Sequence, residues 1–285
     1  MNRRHFFCRT LRLAAAAGVS WFEVPRIWGQ ATQAPKPPPY GGFPLGLQSF
    51  SLRGFGPEGA LDRVKELGLV YVELFRLHFP PTEDTIKIKE MKTACAQRGI
   101  SISAHGVQTF TQDHNTNEAF FRFAKAAGIS IITANPTEDA FDSLDRLVAH
   151  YDVRVAIHNH GPGSRYETID SCVKAVRGHD PRIGFTADLG HFLRANQDPI
   201  EAIERLSGRL YGIHLKDVAE RKKDTVGVVL GKGQLDVLGT FRALKRVRFP
   251  ADGAFSLEYE ENPDDPMPGI RACLEVAAEM AAKAV

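Results

Sequence analysis

Short apolar runs alternate with amphipathic stretches over most of this chain. The apolar runs, each five or six residues long, cover 45–50, 70–75, 100–105, 130–134, 153–158, 183–188, 210–215 and 254–259. The amphipathic stretches have helical periodicity and cover 58–67, 83–98, 116–127, 137–150, 168–176, 199–206, 236–247 and 268–283. Strands of a parallel sheet are buried on both faces and therefore read as nearly continuous apolar runs. The pattern predicts eight parallel strands, each followed by a helix.

The repeat of these units predicts how the strands are arranged. Eight strand–helix units with a repeat of roughly 30 residues are what a closed (β/α)8 TIM barrel requires. The alternative, an open doubly wound sheet, needs a glycine-rich phosphate-binding turn after its first strand. Residues 48–51 read Gln-Ser-Phe-Ser and provide no such turn. We therefore predict an α/β fold with a single, parallel eight-stranded TIM barrel over 44–285, whose functional residues lie at the carboxyl ends of the strands.

The segment before the barrel resembles an export signal. Residues 2–7, Asn-Arg-Arg-His-Phe-Phe, resemble the twin-arginine motif, and the apolar stretch 11–22 that follows is too short to span a bilayer. We expect residues 1–34 to form a twin-arginine signal peptide and residues 35–43 a Pro-rich linker. The expected partner is the twin-arginine export machinery. The expected location is periplasmic or extracellular, without a stable membrane anchor.

Composition and charge narrow the classes of function. The chain of 285 residues is 43% hydrophobic and 25% charged, which is typical of a globular protein. Residues 1–34 carry five arginines against one glutamate, so the net charge of +2 becomes −2 without them. No basic surface is left for nucleic acid, which we do not expect as a partner. Three cysteines beyond the signal, Cys95, Cys172 and Cys273, lack metal-binding spacing and are predicted to pack as apolar residues.

Polar residues collect where the predicted strands end. Six of the ten histidines lie at a strand end or just after it. Together with eight other polar residues, the strand-end set is Glu73, Arg76, His78, His105, His158, Asn159, His160, Asp188, His191, His214, Lys216, Asp217, Glu258 and Glu260. A single histidine at a strand end is more often a packed residue than a ligand. The combined pattern instead indicates a functional site on the carboxyl-terminal rim of the barrel.

Four of these residues form a candidate metal site. His158, Asp188, His214 and Glu258 come from the fifth, sixth, seventh and eighth predicted strands. Inward-pointing residues at successive strand ends of a barrel can converge on one point. Two imidazoles and two carboxylates suit a divalent ion: we expect Mn²⁺, with Zn²⁺, Co²⁺ or Fe²⁺ as alternatives.

Several short motifs resemble those of a known family. They are Asp-Leu-Gly-His at 188–191, His-Leu-Lys-Asp at 214–217, Gly-Lys-Gly at 231–233 and Leu-Glu-Tyr-Glu at 257–260. Over about 45–283 the chain resembles the sugar phosphate isomerase/epimerase family, which has a xylose isomerase-like TIM barrel within the endonuclease IV-like superfamily. The resemblance implies one divalent ion on Asp188, His214 and Glu258, and a place near the substrate for His191 and Lys216. It also implies isomerisation or epimerisation of a sugar, with dehydration or DNA cleavage in some relatives.

One position departs from the family pattern. The fifth strand of the family often ends in Glu-Asn-His, whereas here residues 158–160 read His-Asn-His. In ketose epimerases that glutamate binds the metal and also serves as one of two acid–base groups. A metal-bound imidazole is a poor base for a carbon-bound proton. The departure therefore argues against a symmetric two-glutamate mechanism.

The expected chemistry is formation of an enediolate next to the carbonyl of a sugar or keto-sugar. A divalent ion would polarise the carbonyl, and a nearby base would remove the adjacent proton. Reprotonation gives isomerisation or epimerisation, whereas loss of a β-substituent makes the enzyme a lyase or dehydratase on a keto-sugar or keto-glycoside. The candidate bases are Glu260, Glu73, His105 and His191. The candidate substrate-binding residues are Lys216, His160 and Arg194.

Two other classes of function remain open from the sequence. The first is a metal-dependent hydrolase of the endonuclease IV type, for which His78, His105 and His191 would hold a second ion. The second is an exported barrel that binds a sugar without catalysis. The small-molecule sugar substrate is common to the isomerase, the dehydratase and the binding protein.

Overall fold

The computed structural model describes residues 39–284, and they form a closed barrel of parallel strands. The barrel strands are β1 (Leu45–Gln48), β2 (Tyr71–Leu74), β3 (Ser101–Gln108), β4 (Ile131–Ala134), β5 (Arg154–His158), β6 (Ile183–Asp188), β7 (Leu210–Leu215) and β10 (Ala254–Leu257). Each strand pairs with the next along the chain, and β10 pairs with β1 to close the barrel. The predicted TIM barrel is confirmed.

Helices cover the outside of the barrel. They are α1 (Pro57–Glu66), α2 (Thr85–Gln97), α3 (His114–Ala127), α4 (Phe141–Tyr151), α5 (Ile169–Ala175), α6 (Leu189–Arg194), α7 (Pro199–Leu206), α8 (Val237–Arg246) and α9 (Met267–Lys283). Local chemistry accounts for several of their ends. The carboxylate of Asp84 accepts hydrogen bonds from two backbone amides at the start of α2, and Gly128 ends α3 in the left-handed conformation. No helix among residues 39–284 is long and apolar enough to cross a membrane.

The structure adds elements that the apolar pattern does not contain. The short helix α6 follows β6 directly, ahead of the predicted helix α7. Residues Asp217–Val218 (β8) and Gly227–Val228 (β9) pair antiparallel in a small hairpin above the barrel. Its base is held by Asp217, whose carboxylate accepts hydrogen bonds from backbone amides of residues 218, 231, 233, 234 and 235.

The predicted signal peptide, residues 1–34, and the first part of the predicted linker lie outside the described residues. The last part of that linker is not extended, because Pro39–Gly42 form a 3-10 turn in which Tyr40 and Gly41 have φ of 60° and 64°. Tyr40 packs against the hydrophobic core. The aromatic side chain of Tyr40 therefore attaches the last part of the predicted linker to the barrel.

The inside of the barrel changes character along its axis. Ala104, Ile131, Ala156 and Ala254 come from four strands and form a small buried apolar cluster. Four polar residues are fully buried as well, each with 0% relative exposure: Glu73, Thr133, Thr186 and Ser256. They lie on the same strands or on neighbouring ones. Polar groups inside a barrel need partners. Thr133 Oγ1 lies 3.5 Å from Thr186 Oγ1, whereas Glu73 contacts Ser256 and also His214 at the carboxyl end of β7.

Candidate active site

A cavity of about 250 Å³ opens at the carboxyl ends of the strands. Its polar side is formed by His158, His160, His191, Lys216, Glu258 and Glu260. The rest of its wall is formed by Gln48, Phe50, Phe75, Arg76, Gly106 and Val107. The rings of Phe50 and Phe75 pack edge to face with centroids 5.1 Å apart. The cavity is small for a ligand site and suits a molecule the size of a monosaccharide.

The four predicted metal ligands converge beneath this cavity. His158, Asp188 and His214 end or nearly end their strands, and Glu258 follows β10. One nitrogen or oxygen atom from each of the four lies within 4.8 Å of the other three, and all four residues are buried. Neighbouring strands produce this convergence, because Asp188 and His214 are register partners on β6 and β7. The His-Asp-His-Glu cluster can hold a metal ion.

Unsatisfied atoms in the cluster fit a cation. Asp188 Oδ2 and Glu258 Oε2 are buried and accept no hydrogen bond of acceptable geometry, although Glu258 Oε2 lies 2.7 Å from Lys216 Nζ as an ion-pair contact. His158 Nε2 and His214 Nδ1 face each other at 2.9 Å. Two carboxylate oxygens and two ring nitrogens aimed at one point are a donor set typical of Mn²⁺ and Zn²⁺. The residues therefore fit the ion that the sequence predicts.

The buried side chains in and around the cluster include more carboxylates than basic groups. Glu73, Asp188 and Glu258 are all buried, whereas Lys216 is the one buried lysine or arginine in residues 39–284. Buried carboxylates need compensation by cations or metals. With three carboxylates and a single ammonium, the site favours further positive charge. A divalent ion would supply it, and without an ion a protonated His214 supplies part of it.

The pKa values of the cluster follow from the same charges. Burial alone would raise the pKa of Asp188, but Lys216 and the neighbouring histidines hold it well below its usual range. Burial alone would lower the pKa of His214, but the carboxylates of Glu73 and Glu258 raise it well above its usual range. For both residues the charges of the surrounding side chains, inside and outside the cluster, outweigh the effect of burial on the pKa.

Lys216 connects the cluster to the cavity. Its ammonium nitrogen lies 2.7 Å from Glu258 Oε2, 3.2 Å from Asp188 Oδ2 and 3.2 Å from Glu260 Oε2. Glu260 is outside the four-residue cluster, and its carboxylate lines the cavity. Its backbone carbonyl accepts a hydrogen bond from Arg53. Glu260 is thus a carboxylate in contact with the cavity, fixed from two sides.

His160, a predicted substrate-binding residue, and His191, a predicted base, also line the cavity. Their rings lie 5.3 Å apart, and each is near His158. Burial lowers the pKa of His160 to about 4 and that of His191 to about 3. Arg194 does not line the cavity: its guanidinium points to the carbonyl of Thr225 and to His191 Nδ1. The predicted contact of Arg194 with substrate is therefore not supported.

Two predicted bases lie away from the cavity. His105 is buried on the outer side of β3, where its ring nitrogens contact Phe79 O at 2.8 Å and Gln108 Nε2 at 3.0 Å and its ring packs on Phe123. The strand continues to Gln108, so His105 is not at its end. Glu73 is fully buried below the cluster and bonded to His214. Neither side chain reaches a substrate in the cavity, and both predictions are corrected.

The second metal site of the hydrolase alternative is not assembled. His78 contacts the carbonyl of Phe55, His105 lies between the strands and helices, and His191 is in the cavity. In the part of the chain that the structure describes, only the four-residue cluster brings three or more His, Cys, Asp or Glu side chains close enough to hold one metal ion. The structure therefore does not support a two-ion hydrolase.

Sequence reasoning assigned no role to several residues of the site. Phe50 and Phe75 end predicted strands as apolar residues, and nothing in the apolar pattern distinguishes them from core residues. Arg76, a polar residue just after the second predicted strand, also lines the cavity. Asn159, between two histidines, proves to be buried and bonded to the backbone of Asp188.

Comparisons with known proteins agree with the fold. The family described as "Xylose isomerase-like TIM barrel" matches residues 61–280. A solved structure of an uncharacterized protein from Parabacteroides distasonis is 30% identical, with a TM-score of 0.65, over 84% of this chain and 99% of that one. The 3-keto-D-glucoside 4-epimerase of E. coli has a TM-score of 0.64 at 15% identity, over 82% of this chain and 98% of that one. The latter likeness shows the fold alone.

Two curated relatives are similar to part of the chain. An inosose dehydratase from Geobacillus thermodenitrificans is 26% identical over 141 residues, which is 44% of this chain and 46% of the dehydratase. An inosose dehydratase from Clostridium tetani is 25% identical over 120 residues, 42% of this chain and 38% of its own length. The chain thus spans less than half the length of the curated relatives it matches.

Proposed function

Since the chain belongs to the xylose isomerase-like TIM-barrel family, we propose that it is a divalent-metal-dependent enzyme forming an enediolate next to the carbonyl of a sugar. The family and its structural neighbours include sugar epimerases and dehydratases. The observation that carries the proposal is the buried His-Asp-His-Glu cluster directly beneath a cavity that a separate carboxylate, Glu260, also lines. A binding protein would not need a buried ligand cluster and a free carboxylate at the same point.

The proposed ligands are His158, Asp188, His214 and Glu258, and the proposed ion is Mn²⁺, with Zn²⁺, Co²⁺ or Fe²⁺ as alternatives. When bound, such an ion supplies Lewis-acid polarisation of a carbonyl oxygen. The protein places these ligands on four adjacent strands, so a substrate can approach the cluster only from the cavity side. Phe50 and Phe75 provide an apolar wall along which the carbon skeleton of a sugar can lie.

Glu260 is the proposed base. Its carboxylate lines the cavity, lies next to the cluster without belonging to it, and is held by Lys216. It would take the proton from the carbon next to the carbonyl, and the electron pair of that C–H bond would move into the enediolate. Lys216 is placed to hold a substrate oxygen during this transfer. Return of the proton to the neighbouring carbon gives an isomer.

Dehydration is the second candidate, and one observation favours it over epimerisation. Epimerisation by two bases needs a proton donor and an acceptor on opposite faces of the enediolate. Glu260 is the one carboxylate that lines the cavity without being a proposed ligand, and His158 stands where many family members have glutamate. With one base, the enediolate can instead expel a β-hydroxyl group, which leaves as water with the proton that Glu260 removed. The likeness to inosose dehydratases supports this outcome.

The metal is tested by removal and by substitution. Purified protein is expected to contain close to one divalent ion per chain, and chelation should abolish activity until Mn²⁺ is returned. Asp188→Ala and His214→Ala should lose the ion while the barrel still folds, because its stability comes mainly from the packed strands and helices. Protein without a divalent ion, and active in the presence of chelator, would contradict the proposal.

The chemistry is tested with unphosphorylated keto-sugars and keto-polyols in heavy water. An enediolate requires the hydrogen on the carbon next to the carbonyl to leave that carbon, so a deuterium label placed there must be moved or lost, and nuclear magnetic resonance of the product locates it. In heavy water, solvent deuterium enters the product as far as the proton on Glu260 exchanges. Isomerisation, epimerisation and loss of water give different products in the same experiment. Turnover that leaves a deuterium label in place on that carbon, or hydrolysis of phosphodiesters instead, would reject the enediolate.

We also propose that the protein is exported by the twin-arginine pathway. The support is the motif at residues 2–7 and the short apolar stretch after it. A protein that folds before transport could receive its metal in the cytoplasm. Phosphorylated sugars are scarce outside the cytoplasm, which is why the proposed substrate is a free sugar, a glycoside or an oxidised sugar.

A further inference from the structure

Glu73 is a fully buried carboxylate that the proposed reaction does not use. Its Oε2 atom contacts His214 Nε2 at 2.9 Å and accepts a hydrogen bond from Ser256 Oγ at 3.0 Å. Glu73, His214 and Ser256 are each 0% exposed. A buried carboxylate is costly unless its partners compensate for it, so this arrangement has a structural or functional cause.

Three strands fix the contact. Ser256 on β10 is the register partner of His214 on β7, so the serine lies beside the histidine on the adjacent strand. Glu73 comes from β2, and β1 lies between β2 and β10 in the closed barrel. The carboxylate thus reaches the histidine from inside the barrel. Because both donors meet the same oxygen, the Glu73 carboxylate cannot rotate without losing them.

The two nitrogens of His214 face different surroundings. Nε2 faces Glu73, whereas Nδ1 lies 2.9 Å from His158 Nε2, 3.3 Å from Glu258 Oε2 and 3.8 Å from Asp188 Oδ2. A carboxylate only accepts hydrogen bonds, so Nε2 must carry a proton to make the 2.9 Å contact. In a neutral ring Nδ1 then keeps its lone pair, and it is the nitrogen that faces the other three ligands.

We propose that Glu73 is a positioning residue that holds His214 as the Nε2–H tautomer, so that the ring binds the metal ion through Nδ1. A carboxylate behind a metal-binding histidine fixes the tautomer and the ring orientation and makes the ligand nitrogen more basic. Ser256 has the supporting part of holding the carboxylate. The inference rests on the metal cluster of the proposed function, but it does not depend on which reaction the enzyme catalyses.

The test is the affinity for Mn²⁺, measured without substrate on the whole protein after a chelator has removed its metal. Glu73→Gln keeps the size of the side chain and removes its charge, and it is expected to weaken Mn²⁺ binding 10- to 100-fold. Ser256→Ala should weaken it by a smaller factor. The control is Gln108→Met, which removes the side-chain partner of another buried histidine, His105, outside the cluster, and should leave the affinity unchanged.

The possible results are distinguishable. If the wild-type protein binds no Mn²⁺, the metal site itself is rejected and the proposed function fails with it. If the wild type binds Mn²⁺ and Glu73→Gln binds it equally well, the metal site stands and the positioning role of Glu73 is rejected. Denaturation of each metal-free variant is measured in parallel, so that a lost fold is not taken for a lost affinity.

A second measurement needs no variant. Histidine-selective ¹⁵N labelling of the wild-type protein loaded with diamagnetic Zn²⁺ reports the tautomer of each ring by nuclear magnetic resonance. His214 is expected to carry its proton on Nε2 and to show a metal-bound Nδ1. A proton on Nδ1, with the metal on Nε2, would overturn the inference even if Glu73→Gln could not be purified.

Discussion

The side-chain amide of Asn159 pairs with the backbone of Asp188 as a neighbouring strand would. Asn159 Nδ2 donates to the carbonyl of Asp188 at 2.9 Å, and the amide of Asp188 donates to Asn159 Oδ1 at 2.7 Å. Both residues are buried. The middle residue of the His-Asn-His sequence therefore fixes the strand end that carries one of the proposed ligands.

Asn159→Ala is expected to weaken both stability and metal binding. It leaves a buried amide and a buried carbonyl of Asp188 without partners, which costs about 2–4 kcal/mol in the free energy of unfolding. The freed strand end should also let the Asp188 carboxylate shift, so Mn²⁺ affinity falls as well. Urea denaturation and metal titration measure the two effects. Ser171→Ala, which removes the hydroxyl that accepts a hydrogen bond from the amide of Thr168 at the start of α5 outside the site, should lower stability alone.

Glu260→Gln separates proton transfer from metal binding. The glutamine keeps the shape of the side chain but cannot take a proton from carbon, so deuterium exchange should slow by about 10²- to 10⁴-fold. Metal content should remain as in the wild type, because Glu260 is not in the ligand cluster. Glu261→Gln is the control, since this neighbouring carboxylate does not line the cavity. Equal exchange rates in the two variants would remove Glu260 as the base.

His158→Glu tests the departure from the family pattern. The substitution adds a negative charge beside the ion, which weakens it as a Lewis acid, and offers a second carboxylate to the cavity. We expect the variant to keep its metal, to slow the native reaction and to gain epimerisation, visible as inversion at the exchanging carbon. An unchanged native rate would show that His158 is not a ligand, and His160 would then take its place.

His105→Gln is expected to reduce the sensitivity of the protein to acid. Burial lowers the pKa of His105 to about 4 in the folded protein, compared with 6.5 for an ordinary histidine. Above pH 7 the ring is neutral in both states and contributes no pH dependence. As the pH falls from 7 to 4 the unfolded chain takes up a proton that the folded protein does not, so stability is lost, by about 3 kcal/mol at the limit.

Urea denaturation at pH 8 and pH 5 measures this effect. From pH 8 to pH 5, the free energy of unfolding should fall by about 2 kcal/mol less in His105→Gln than in the wild type. The exposed His150 provides the control, as His150→Gln. Identical losses in all three proteins would show that burial of His105 does not contribute to acid sensitivity.

The export proposal has a spectroscopic readout. Both tryptophans of the chain, Trp21 and Trp28, lie within the proposed signal peptide. Processed protein from the periplasm should therefore show no tryptophan emission and a correspondingly lower mass. Replacing Arg3 and Arg4 by lysine should leave tryptophan-containing precursor in the cytoplasm. Processed protein appearing outside the cytoplasm at the wild-type rate would reject the twin-arginine route.

The sequence predicted the fold and the ligand cluster because both follow from periodicity. Parallel strands of a barrel bring their carboxyl ends together whatever the loops do, so Asp188, His214 and Glu258 could be expected to meet. The sequence carries less information on which way a side chain points. His105 follows Ala104, which faces the inside of the barrel, so by alternation its side chain points outward to the helices.

The apolar pattern of the sequence also does not show how deep in the barrel a side chain lies. Glu73 and Glu258 both come near the ends of apolar runs, but Glu73 lies within β2, whereas Glu258 follows the last residue of β10. A difference of one or two residues places one carboxylate below the cluster and the other in it. Tilt and stagger of the strands decide this, and they arise from the closed barrel as a whole.

The burial of the three cysteines of the barrel has a consequence for how the protein tolerates oxidants. Burial raises the pKa of Cys95 and Cys273 to about 11 and that of Cys172 to about 12. The thiolate is the form that reacts with oxidants and attacks disulfides, and it is almost unpopulated at such values. The folded enzyme should therefore tolerate air and oxidised glutathione without a reductant and form no mixed disulfides. Its thiols should become reactive only upon unfolding, which makes thiol labelling a direct count of unfolded molecules.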